Sequence, residues 1–83
     1  MKIWAKIIKD EHILKDMMYE RVGKFDAKEF HSYLNDICYY FDIPTPVIIP
    51  MYINNFAEFN HHKFRPSDFL EYVDFDELEI ENC

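Results

Sequence analysis

The sequence is poor in glycine, cysteine and basic residues: one glycine, two cysteines and nine Lys or Arg among 83 residues. Each scarcity excludes something. Two cysteines cannot build a disulfide framework, so Cys38, inside a helical pattern, and Cys83 read as free thiols, one buried and one frayed. No H-x-x-x-H or C-x-x-C spacing occurs anywhere, and no motif that fixes a reaction is present. No apolar run reaches signal-peptide length or the roughly 18 residues of a membrane span, which points to a cytoplasmic protein with no membrane partner. No catalytic residue and no cofactor is indicated.

The basic residues are also unevenly placed. Residues 1–28 carry seven of them against five acids, whereas residues 29–83 carry two against eleven, a net of -9. That polarity disfavours nucleic acid as a partner of the second part and favours a basic protein.

What is abundant is aromatic side chain: eight Phe, six Tyr and one Trp. A chain of this length forms one domain, residues 1–83, and buries only roughly 60–65% of its unfolded surface. Aromatics of about 150–250 Å² each enlarge such a thin core, and any surplus invites self-association, through them or through a free sheet edge, into a homodimer.

The periodicities predict an α+β fold. "KIWAKIIK" alternates Ile3, Ala5 and Ile7 with Lys2, Trp4 and Lys6, and "ILKDMMYERV" follows after "DEH", so an N-terminal β-hairpin is expected, closed by Gly23. Asp26 and Glu29 have capping-box spacing. Ala27, Phe30, Leu34, Ile37, Cys38 and Phe41 then recur on one face of an amphipathic helix, residues 26–41, stopped by "DIPTP". "VIIPMYI" reads as a strand, on an edge or bulged because of Pro50. Asn55 and Glu58 cap a short second helix at "NFAEF", "KFR" is briefly extended, "PSD" turns, and "FDELEIE" is a last strand with Leu78 and Ile80 inward. The strands form a small, mostly antiparallel sheet covered on one face by the main helix.

Three groups are candidate sites. Glu77, Glu79 and Glu81 share one face of the last strand at a repeat of roughly 6.6–6.8 Å. They form an acidic ladder, expected either to be a solvated edge or, with Asp76, to dock a basic protein. His61 and His62 are the metal candidates, with Glu58, Asp68, His31, Tyr52 or Tyr72 as helpers. Adjacent residues on a strand point to opposite faces, which makes the two histidines a poor chelate. In "KFRPSDF", Arg65 is expected to fork onto Asp68. His31 and Cys38, two turns apart and separated by about 10 Å, cannot form a catalytic dyad. Phe56, Phe59, Phe64 and Phe69 are expected to face the core, with the histidines outside and able to reach the last carbonyls of the short helix.

The order of "IWAKII", the capped helix ending in "DIP", "INNFAEF", "KFRPSDF" and "VDFDELEIE" resembles short uncharacterised bacterial proteins over nearly the whole chain. The resemblance implies a compact intracellular bacterial domain and carries no catalytic motif. The expected function is a non-enzymatic interaction module whose acidic surface binds a basic protein or a second copy. The alternatives are a small enzyme or metal-binding protein built around His61 and His62, and an inhibitor that mimics nucleic acid or acts like an antitoxin or immunity protein.

Overall fold

A computed structural model describes residues 1–83 and shows a four-stranded antiparallel sheet with two helices, a small α+β fold. The strands are β1 (Lys2–Lys9), β2 (His12–Glu20), β3 (His61–Phe64) and β4 (Glu77–Asn82), in the spatial order β2-β1-β4-β3. The helices are α1 (Phe30–Phe41) and α2 (Pro50–Phe59). No helix is long and apolar enough to cross a membrane.

β1 and β2 form the expected hairpin, but its turn is only Asp10 and Glu11, both at positive φ (52° and 66°). Left-handed geometry at both central residues matches the twist of a two-residue hairpin, and non-glycine residues adopt it at a cost. A bulge follows: Ile7 pairs with Lys15 and Ile8 with Ile13, leaving Leu14 as the extra residue. Ile3, Ala5 and Ile7 of β1, Leu78 and Ile80 of β4, and Phe64 of β3 point to the same side, as a period of two requires. Phe30, Tyr33, Leu34, Ile37, Cys38 and Phe41 of α1, Phe56 of α2, Tyr19 of β2, and Phe69 and Phe75 of the segment before β4 complete one core of sixteen buried residues.

A short 3₁₀ turn, Ala27–Glu29, leads into α1, and the Asp26 carboxylate accepts from the Lys28 N–H at 3.0 Å as its cap. Asp42 ends α1 in the left-handed conformation, and Ile43 N–H donates to the Cys38 carbonyl, immediately before Pro44. Asn55 and Glu58 do not cap the second helix; they lie inside α2, whose N-cap is Ile49. Two further expectations fail after this point. "VIIPMYI" is not a strand, because Pro50 occupies the first turn of α2, where its missing N–H and fixed φ suit a helix start. Ile49, Tyr52, Ile53 and Phe56 then fall at three- and four-residue steps, and Tyr52, Ile53 and Phe56 reach the core. The second failure is Phe59, at the last position of α2, which is 65% exposed while Phe56, Phe64 and Phe69 are buried.

Candidate functional site

The sheet's second face carries no helix, and the acidic ladder lies on it between two rows of cations. Because β4 pairs with β1 on one side and β3 on the other, Glu79 sits opposite Lys6 and Lys63, and Glu81 opposite Trp4 and His61. Lys6 Nζ lies 2.6 Å from Glu79 Oε1 and 3.8 Å from Glu81. His61 Nε2 is 3.0 Å from Glu79 Oε2, and Lys63 lies 3.7 Å from Glu79 and 3.9 Å from Glu77. Arg65 reaches Glu77 at 4.0 Å instead of forking onto Asp68. The Trp4 ring covers Lys6, with Nζ 3.8 Å from the ring centroid, while its indole N–H donates to Asp16 at 2.9 Å. Lys6 is only 7% exposed and the Glu79 side chain 12%, although no second layer covers this face. Burial alone would raise the Glu79 carboxyl pKa; hydrogen bonds from Lys6 and His61 overcome it and leave that carboxyl below its ordinary value.

The two histidines diverge, as adjacent residues of a strand must. His61 points to the open face and Glu79, whereas His62 points the other way and lies between Tyr52 and Phe64, each ring centroid 4.6 Å from its own. His62 is therefore half-buried, contrary to the expectation that both stay outside, and its Nε2 is buried without a hydrogen-bond partner. Burial pushes its pKa below the usual histidine value, against the opposing pull of Asp68. Asp68 is otherwise committed, accepting from the Tyr52 hydroxyl at 2.5 Å and from the Arg65 backbone N–H at 2.8 Å. Neither histidine caps α2; the Asn60 N–H, in left-handed geometry, donates to the Phe56 carbonyl at 2.8 Å. Glu58 and His31 are exposed and apart from this cluster, and no group of three His, Cys, Asp or Glu lies close enough to hold a metal ion. Cys38 is buried, and desolvation pushes its thiol pKa up to about 12, which suits packing and not nucleophilic chemistry.

A third group forms where the hairpin turn meets the loop before β4. Asp76 N–H donates to the Ile8 carbonyl and Asp76 Oδ2 accepts from the Asp10 N–H, both at 2.8 Å, while Lys9 binds Asp74 at 2.8 Å. Asp10, Glu11, Asp74 and Asp76 thus share one end of the sheet. Lys9 is the one cation within ion-pairing distance of any of them. Tyr72, near enough to Lys9 to act on its charge, is 87% exposed, and Ile13 and Leu14 project from the start of β2. Asp76 was legible in the sequence as part of the acidic run. The others were not, because the signal is a two-residue acidic turn whose partner loop is more than sixty positions away. The chain's single concavity, about 310 Å³, is an open groove at the opposite end of the hairpin, lined by Met1, Lys2, Glu20, Arg21 and Val22. The chain matches no protein-family model, no curated protein and no solved structure.

Proposed function

We propose that this protein is a non-enzymatic interaction module that binds a basic protein through the hairpin end of its sheet, at Asp10, Glu11, Asp74 and Asp76 with Tyr72, Ile13 and Leu14 around them. The observation that carries the reading is the contrast between two acidic groups. The carboxylates of Glu77 and Glu79 face cations of their own sheet, and Glu81 shares Lys6, so much of the ladder's charge is spent within the molecule. At the hairpin end, four acids face one lysine and lie beside exposed apolar and aromatic side chains. Unneutralised charge next to exposed aromatic surface is the composition that speeds encounter with a basic partner and gives it an anchor. In this reading the ladder holds the sheet together, with Glu81 contributing field at its more exposed end.

The test is a heteronuclear NMR titration with a Lys- and Arg-rich peptide interrupted by prolines, which cannot pair as a strand. Shifts should concentrate on the amides of Asp10, Glu11, Asp74 and Asp76, and affinity should fall steeply when salt is raised from about 50 to about 300 mM. Shifts centred on His61, Lys63 and Glu81 would move the binding surface to the ladder, and salt-independent binding would remove the electrostatic basis.

A further inference from the structure

We propose that the basic partner binds as an added β-strand along the free edge of β2, antiparallel to it, with basic residues opposite Glu20 and Asp16 and an apolar or aromatic residue opposite Met18. This rests on the reading of the hairpin end, from which β2 runs directly. β2 is nine residues long, contains neither proline nor glycine, and pairs on one side only, with β1. The backbone groups of alternate residues along its other side have no strand to meet. The opposite edge, β3, is four residues long and runs into Arg65-Pro66, so it offers little to an incoming strand.

The pattern of the partner follows from the strand β2 already binds. On the open face β2 presents Glu20, Met18 and Asp16, and β1 sets Lys2, Trp4 and Lys6 directly against them. Lys2 Nζ stands 3.9 Å from Glu20, and Trp4, which lies over Lys6, also donates to Asp16. A strand added to the other edge meets the same three side chains at the same cross-strand spacing, so basic, aromatic, basic at alternate positions is the complement there too. A second copy of β2 fits less well. Antiparallel self-pairing centred on Lys15 or Asp16 sets identical charges opposite one another, and centring on Met18 sets Asp16 against Glu20. Among these central positions, Met17 alone avoids a like-charge pair.

The probe is a peptide with the sequence of β1, KIWAKIIK, added to isotope-labelled full-length chain, with the proline-interrupted basic peptide as the second arm. The expected result is cross-strand contacts between the peptide and residues 15–19 of β2, slowed hydrogen exchange of the outward β2 amides, and an affinity about tenfold weaker in the Asp16→Asn, Glu20→Gln double variant. The proline-interrupted peptide should perturb the hairpin end alone. Shifts at the hairpin end from both peptides, with β2 amides unprotected, would overturn strand addition and leave the hairpin reading standing. No response at either place would overturn both. A chain that sediments as a dimer with β2 already protected before peptide is added would make a second copy the occupant and overturn the proposal, as would unchanged affinity in the double variant.

Discussion

Phe56 and Phe59 are three residues apart on α2 and separate sharply in burial: Phe56 is fully buried against Phe25 and Phe30, and Phe59 projects into solvent. Three positions on a helix turn the side chain by about 300°, so a pair can share a stripe without both reaching a core this narrow. Phe56→Ala should cost about 3–5 kcal/mol and nearly abolish folding, whereas Phe59→Ala should stay within about 0.5 kcal/mol, read by thermal melts. His62 adds a pH signature. Its folded pKa lies below the unfolded value because burial disfavours the imidazolium, so the unfolded chain binds more protons between the two values. Stability from this residue is complete above about pH 6.5 and falls as the pH drops from there towards the depressed folded value. His62→Phe should flatten the melting temperature across that window; an unaltered profile would mean that His62 binds its proton equally well folded and unfolded. Lys6 and Glu79 give a third comparison. Glu79→Gln leaves Lys6 nearly buried without its main partner and should cost about 3 kcal/mol, while Lys6→Met combined with Glu79→Leu should recover most of that loss.

Elements with a single strong period were legible in the sequence, and those where two signals compete were not. β1, β4 and α1 each repeat cleanly at two or at three to four, so their positions and most of their inward faces agree with expectation, except that Ala27 lies exposed in the 3₁₀ turn before α1 and Tyr33 joins the buried face. Residues 47–53 combine a β-branched run with a proline, and β propensity was outweighed by Pro50 starting a helix whose Tyr52, Ile53 and Phe56 meet the core. Glu77, Glu79 and Glu81 do share one face of β4, but β4 is an inner strand, not the expected edge, and Asp76 lies outside it at the hairpin turn. The ladder's pairing with Lys6, His61 and Lys63 depends on strand order, which periodicity does not encode. The hairpin turn carries the element-scale prediction. Asp10 and Glu11 hold left-handed geometry that Asn-Gly adopts more readily, so Asp10→Asn with Glu11→Gly should raise stability by about 0.5–1 kcal/mol. If the turn acids serve binding, the same variant should weaken the basic partner, a gain in stability set against function.

For the whole molecule, the formal charge of -7 is distributed by the sheet into a compensated region and an uncompensated one. β4, the most acidic strand, lies in the interior of the sheet, flanked by the Lys-bearing β1 and β3. At the hairpin end Lys9 alone pairs with the acids, and the net charge opposes close approach of two copies. The most direct measurement compares two charge-neutralised variants side by side, Asp10→Asn, Glu11→Gln, Asp76→Asn at the hairpin end and Glu77→Gln, Glu81→Gln on the ladder, each by melting temperature and by calorimetric titration with the proline-interrupted basic peptide. The hairpin-end variant should melt within a few degrees of the parent, about what 0.5 kcal/mol shifts a domain of this size, yet bind at least about tenfold more weakly. The ladder variant should melt lower and bind nearly as well as the parent; a ladder variant that keeps its melting temperature and loses the peptide, with the hairpin-end variant still binding, would contradict this division of the molecule's charge.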